Sequence, residues 1–205
     1  MTDHLASAPR NHVPGRARRL IVGAAAAAAT LVLVGLWIFG RLPGAPVRSG
    51  PLEGTNFEDL RIPLRPADTG VLWGSLVLHN STKSDITLEN VSFARNPANI
   101  DPIGSPYVWD ETRVALLDTG AVSGYQLPLP STWHLPQKHA VSGYRIPPQK
   151  EDGSVEIVYE LPVPTATSTV DGITVRYRAG GIIYRKTFGV SITVCPPGES
   201  ARCHQ

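Results

Sequence analysis

The sequence has little net charge, only two cysteines and none of the common catalytic motifs. Its 19 Lys and Arg and 17 Asp and Glu give a formal net charge of +2, so nothing suggests nucleic acid as a partner. The chain contains no G-x-S-x-G, H-E-x-x-H or phosphate-loop pattern. We therefore predict a protein that is not an enzyme and binds no cofactor.

Charge is also absent from the 21 residues between Arg19 and Arg41. A membrane span needs about 20 apolar residues, because the hydrocarbon core is roughly 30 Å thick and a helix rises 1.5 Å per residue. The apolar part of a signal peptide is shorter, about 7–15 residues. The segment therefore predicts an uncleaved signal-anchor, a transmembrane helix at residues 20–40. A signal peptide cleaved near Ala45 or Pro46 is the alternative.

The flanking charges predict the orientation of this helix. Four arginines lie in the ten residues before the segment, whereas Arg41 and Arg48 follow it close to three acidic residues. The positive-inside rule then places the N-terminus in the cytoplasm and the C-terminal part outside. We expect a single-pass protein of the cell membrane, with membrane lipid as the partner of residues 20–40.

The chain is predicted to have four parts. Residues 1–19 are a short, disordered cytoplasmic tail, and residues 20–40 are the transmembrane helix. Residues 41–58 are rich in Pro and Gly, as expected of a linker. Residues 59–205 are long enough for one extracytoplasmic domain with its own core.

Beyond the linker the apolar residues repeat every second position, which indicates strands. In SVEIVYELPV, Val155, Ile157 and Tyr159 share one face while Glu156 and Glu160 take the other, so the sequence predicts a half-buried strand.

Two earlier segments are also predicted to be strands. VLWGSLVLHN has Leu72 and Leu76 on one face and Trp73 on the other, as in a central strand. In DITLENVSFA the apolar residues change from even-numbered to odd-numbered positions, and a bulge near Glu89–Asn90 would return them all to one face of the strand. At RVALL we favour a strand over a helix that begins at Ser105–Pro106.

GITVRYRAGGIIYRKTFGVSITVC predicts a β-hairpin. Gly180 and Gly181 suit a two-residue turn, because such turns require positive φ angles. This turn would pair Tyr177 with Tyr184, Val175 with Lys186, and Ile173 with Phe188. The apolar residues of both strands then share one face, and Arg176 opposes Arg185 on the other.

The octapeptide AVSGYQLP at residues 121–128 recurs as AVSGYRIP at residues 140–147. Either the two copies are a repeated edge-strand and turn solution, each ended by a proline, or they form one binding surface. We favour the first interpretation, because proteins rich in sheet and turns reuse turn chemistry.

Short strands separated by turns, without amphipathic helices, are typical of a β-sandwich. VLWGSLVLHNSTKSDITLENVSF resembles the early strands of bacterial immunoglobulin-like domains, and YRIPPQKEDGSVEIVYELPVP resembles a later strand with its Pro-rich entry. The whole chain is similar to membrane-anchored proteins of high-GC, actinobacterial-type bacteria. This resemblance implies an all-β fold, an immunoglobulin-like β-sandwich preceded by one transmembrane helix, and no particular activity.

The two cysteines are the strongest candidates for a structural site. Cys195 and Cys203 bracket CPPGESARC near the end of the last predicted strand, and oxidising compartments favour a disulfide. A blue-copper site is the alternative, since His204 follows. Such a site also needs a second His and usually an axial Met, and the only Met is Met1. We therefore predict a disulfide and no metal site.

Other polar and aromatic candidates have structural explanations. Neighbouring strand residues face opposite ways, so Asp110–Glu111 is a poor acid–base pair. Pro136 separates His134 from His139, and Trp109 and Trp133 suit a core as well as a partner surface. We predict a binding or structural module with a cell-envelope protein as its partner. A copper-handling protein and a cell-envelope hydrolase are the alternatives.

Overall fold

The computed structural model describes residues 27–37, 50–56, 58–110, 124–131, 135, 137–148 and 154–203. The chain divides into two compact units, Met1–Pro46 and Val47–Gln205. In the first unit residues 27–37 form an α-helix, while the rest of the predicted span, 20–26 and 38–40, lies outside the described residues. Among the described residues, no helix combines the length and the apolar character needed to cross a bilayer.

The described part of the second unit consists mainly of strands. In chain order these are β1 (Glu53–Gly54), β2 (Glu58–Pro63), β3 (Gly70–His79), β4 (Ile86–Arg95), β5 (Tyr107–Trp109), β6 (Tyr125–Leu127), β7 (His139–Ala140), β8 (Arg145–Ile146), β9 (Val155–Pro162), β10 (Ser168–Ala179) and β11 (Ile182–Cys195). A short helix, Ser200–Cys203, follows.

The strands form two sheets. Sheet A has the order β1–β3–β9–β5–β7, and β6 pairs with the start of β3, at the opposite end from β1. Sheet B has the order β2–β11–β10–β4–β8. All these pairings are antiparallel except that of β2 with β11, which is parallel. The predicted all-β fold is confirmed.

The two sheets share one apolar core. Trp73 and Leu76 of sheet A and Val175 and Phe188 of sheet B are fully buried in the same cluster. Burying one such side chain contributes about 1.5–3 kcal/mol, so this layer accounts for the packing of the sheets against each other.

The C-terminal hairpin has the predicted register. Tyr177 pairs with Tyr184, Val175 with Lys186, and Ile173 with Phe188. The turn residues Gly180 and Gly181 have φ angles of 55° and 80°, a region that is costly for residues with a Cβ. Turn chemistry and apolar parity therefore specify the same pairing.

The predicted bulge in β4 is also present. Asn90 lies opposite Arg176 while Leu88 lies opposite Tyr177, so Glu89 is the extra residue. As a result, Leu88 and Val91 both point into the core although their sequence parities differ.

The predicted faces are wrong in the first half of β3. The pairing with β9 shifts between Trp73 and Leu76, and both of these residues lie in the main core. Leu72, which was expected to share a face with Leu76, belongs to a separate cluster. The irregularity at Gly74–Ser75 causes this change, and apolar residues of both parities conceal it in the sequence.

Strand β9 is not half-buried as predicted. Glu156, expected on the solvent side, is buried. Val158 packs with Tyr107 and Trp109 in a second cluster on the outer side of sheet A, against which Leu127 also packs. A period of two predicts that side chains alternate, but it does not predict that other parts of the chain cover the outer face.

The segment after Ser105–Pro106 begins as a strand, because Tyr107–Trp109 forms β5. This favours the strand interpretation over the helix. The predicted strand at RVALL, residues 113–117, lies outside the described residues.

The folded unit includes the last residues of the segment assigned to the linker. Leu52 is fully buried and β1 pairs with the end of β3. The backbone N–H of Leu52 donates to the Tyr177 hydroxyl at 3.1 Å, and Lys186 Nζ donates to the Leu52 carbonyl at 2.7 Å. The chain therefore enters the domain beside the hairpin, between the two sheets.

Asn80 provides another link between the sheets. It follows β3 of sheet A, and its Nδ2 donates to the Ile146 carbonyl of β8 in sheet B at 2.8 Å. The same group donates to the Ser84 carbonyl at 3.0 Å. Asn80 is fully buried, so this amide replaces water for two backbone acceptors.

Candidate functional site

The outer face of sheet B carries a concentration of arginines beside the hairpin turn. Arg176 and Arg178 of β10 alternate with the buried Val175 and Tyr177, so both guanidinium groups point away from the core. Their side chains are 45% and 46% exposed. Strand periodicity therefore places two positive charges side by side on one surface.

The bulge in β4 supplies a carboxylate that orients both groups. Arg176 Nε donates to Glu89 Oε2 at 2.8 Å, and Arg178 Nη2 donates to Glu89 Oε1 at 2.8 Å. Charge-assisted bonds of this kind are shorter and stronger than neutral ones. One carboxylate thus holds two arginines in place and neutralises only one of them.

Two further arginines lie on the same face. Arg185 of β11 is directly opposite Arg176, and Arg145 of β8 is opposite Thr87, which in turn is opposite Arg178. Both side chains are exposed, and neither forms an ion pair within the described part of the chain. We call Arg145, Arg176, Arg178 and Arg185 the arginine patch. With Glu89 included, it carries an excess of three positive charges.

Farther from the hairpin turn, the same face is electrically balanced. Arg95 pairs with Asp171, and Arg61 Nε lies 3.6 Å from Asp59 Oδ2. Arg95 and Asp171 also line a shallow cleft of about 610 Å³. Between the two ends lie threonines, including Thr174, whose Oγ1 is 2.9 Å from that of Thr187. The excess charge is therefore confined to the end where the chain enters.

The two predicted disulfide residues are close together. Cys195 and Cys203 have their sulfurs 2.10 Å apart and their Cα atoms 5.9 Å apart, as in a disulfide. Cys195 ends β11 and is fully buried. A paired sulfur does not supply the thiolate that a blue-copper site needs.

The other candidate residues do not converge on one centre. His139 Nε2 lies 3.7 Å from Asp110 Oδ2 across the β5–β7 pair. Trp109 is fully buried, as core packing would require. Glu111, His134 and Trp133 lie outside the described residues. Within the described ranges, no three His, Cys, Asp or Glu side chains cluster as metal ligands would.

The corresponding C-terminal ends of the two octapeptides lie in different sheets. Tyr125–Leu127 forms β6 on the edge of β3 in sheet A, whereas Arg145–Ile146 forms β8 on the edge of β4 in sheet B. A proline follows each strand, Pro128 in one case and Pro147 in the other. This supports the interpretation as a reused edge-strand solution.

Sequence reasoning noted that Arg176 opposes Arg185 but missed the arginine patch as a site. Part of the information needed to find the patch was present in the sequence, because the predicted bulge at Glu89 and the hairpin register place acidic and basic residues on the outer faces of their strands. The missing information was the sheet order, since β4 and β10 are far apart in sequence and only their pairing brings Glu89 to the arginines.

No protein-family model and no curated protein matches this sequence. Among solved structures, the chain shows a distant likeness to the structure of the Vibrio cholerae VesB protease. The TM-score is 0.31 and the identity 13%, over 71% of this chain and 32% of that chain. The aligned part is thus about a third of that protein, and a likeness this weak supports no conclusion about activity.

Proposed function

We propose that the chain is a membrane-anchored, extracytoplasmic immunoglobulin-like module that acts by binding. The fold part of this proposal is supported by the strand order. In immunoglobulin sandwiches, strands A, B, E and D form one sheet and C, F and G the other. Taken in chain order, β1, β3, β4, β5, β9, β10 and β11 fill the positions A to G of that arrangement.

The location is supported by the sequence. The 21 uncharged residues at 20–40 fit a bilayer, and the arginines before them favour an external domain. Protease added to intact spheroplasts is expected to remove the domain. Protection of the domain until the cells are lysed would contradict the orientation, and a mature N-terminus near Ala45 would replace the anchor by a signal peptide.

The single observation that carries a binding role is the arginine patch. Arginines that a carboxylate already holds in place lose less conformational freedom on binding an anion than free side chains do. A photo-crosslinking residue at Thr187, on the same face, is expected to capture an envelope component in native cells. Arg185→Glu should reduce this capture, and an unchanged product pattern would argue against binding through this face.

A further inference from the structure

The position of the arginine patch relative to the chain entry indicates what it binds. Gly50 packs so closely against Tyr184 and Tyr177 that an added Cβ would lie 2.4 Å from the Tyr184 ring and 2.5 Å from the Tyr177 hydroxyl. Tyr177 lies between Arg176 and Arg178 on β10. The chain therefore joins the domain at the same end of sheet B that carries the excess positive charge.

The connecting chain is short. Nine residues, 41–49, separate the uncharged segment from Gly50. At about 3.3–3.6 Å per fully extended residue they span at most ~32 Å. Residues 52–54 already belong to the fold, so the whole 41–58 segment is not available as a connection. The maximum distance between the uncharged segment and Gly50 is therefore well below the length of an extended 41–58 segment.

We propose that the arginine patch binds the phosphate groups of anionic lipids in the leaflet that faces the domain. This inference rests on the proposed function, since it requires residues 20–40 to be the anchor. Guanidinium groups match phosphate oxygens through paired N–H donors. Arg176 donates its Nε to Glu89, and no hydrogen bond from its Nη groups occurs within the described residues.

The composition of the face favours lipid headgroups over a protein. Protein interfaces usually have a desolvated centre of aromatic and other apolar side chains. On the neighbouring strands, the patch arginines lie opposite Thr87, Asn90 and one another instead. Ile183 is the one aliphatic residue among these described strand pairs. A charged surface without an apolar centre suits a layer of headgroups, whose attraction acts over about 8–10 Å at physiological salt.

The test uses the full chain reconstituted into vesicles with the domain outside. Each arginine is modified with an arginine-selective dicarbonyl reagent and quantified by mass spectrometry. In vesicles that contain phosphatidylglycerol, we expect the patch arginines to react about fivefold more slowly than in pure phosphatidylcholine, since each basic residue at an anionic surface gains about that factor. Arg61 and Arg95, at the far end of the same face, are internal controls and should react equally in both.

Two additions identify the source of the anion. Inorganic phosphate or soluble polyglutamate, added to phosphatidylcholine vesicles, should leave the patch arginines reactive. Protection by phosphate would indicate a free-phosphate site, and protection by polyglutamate an acidic protein partner; either result would overturn the proposal. The double variant Arg145→Glu/Arg185→Glu should abolish the lipid-dependent protection of Arg176 and Arg178 without lowering the melting temperature.

Equal reactivity in both vesicle types, or equal protection of Arg61 and Arg95, would also overturn the proposal. A carbonate wash separates this failure from failure of the proposed function. A chain that stays in the vesicles but shows unprotected arginines retains its anchor and lacks the lipid contact. A chain that washes off lacks the anchor itself.

Discussion

Replacing Ile173 by Asp tests the hairpin register and the identity of the buried face together. Ile173 is 1% exposed and lies between Phe188 of β11 and Phe93 of β4. All three are apolar, so a carboxylate there would have no charged partner opposite. Val175 is a poorer choice, because Lys186 lies directly across the pair and could neutralise an introduced acid.

The expected loss is large. Removing a buried isoleucine side chain costs about 2–5 kcal/mol, and an unpaired carboxyl adds to this, so Ile173→Asp should cost at least ~4 kcal/mol. In a domain of this size each kcal/mol lowers the melting temperature by about 2–4 °C, which gives a drop of ~8–16 °C. Burial raises the pKa of the new carboxyl, so the loss relative to wild type should shrink as the pH falls and the carboxyl becomes neutral.

Thr174→Asp is the matched control, one residue along the same strand. Thr174 points to the outer face, where it contributes one hydrogen bond to Thr187. Its replacement should cost about 1 kcal/mol, or ~2–4 °C, by thermal unfolding monitored with circular dichroism. Equal drops for Ile173→Asp and Thr174→Asp would refute the assignment of the two faces.

Three further predictions concern other links in the domain. Cys203→Ser should lower the free energy of unfolding by about 2–3 kcal/mol, because the bond to Cys195 closes a loop of about nine residues; intact mass with and without reductant checks the bond, and two free thiols in native protein would contradict it. Asn80→Ala should cost about 1–3 kcal/mol in denaturant unfolding, because the Ile146 carbonyl loses its donor in a buried site; an unchanged midpoint would argue against this link. Burial raises the pKa of Tyr177 to about 12 from 10.0. The unfolded chain therefore releases this proton first, and stability present below pH 10 should be lost as the pH rises towards 12. Tyr177→Phe should weaken that loss, and an unaltered pH profile would contradict the assignment.

The sequence was most informative where two local signals agreed. At the hairpin, the Gly180–Gly181 turn and the apolar parity independently require the same pairs, so the register could be predicted. At Glu89 a change of parity inside one strand had a single simple explanation, a bulge. The pairing of Cys195 with Cys203 involved no choice among partners, because there are no other cysteines.

The rest depended on contacts between distant segments. In β3, apolar residues on both parities gave no sign that Gly74–Ser75 shifts the register. The burial of Glu156 depends on what covers the outer side of sheet A, and the arginine patch depends on β4 lying beside β10. Periodicity describes one strand at a time, so it predicts neither neighbours nor coverage.

The short outer strands have a consequence for self-association. β7 and β8 each have two residues, and Pro147 and Pro148 follow β8. An exposed edge promotes aggregation when it offers a long row of free backbone N–H and C=O groups, which these strands do not. If residues 20–40 are the anchor that we propose, copies in one membrane would meet at a high effective concentration. Among the outermost strands of the described sheets only β2, with six residues, offers such a row, so pairing between neighbouring domains is expected at that edge of sheet B rather than at β7 or β8.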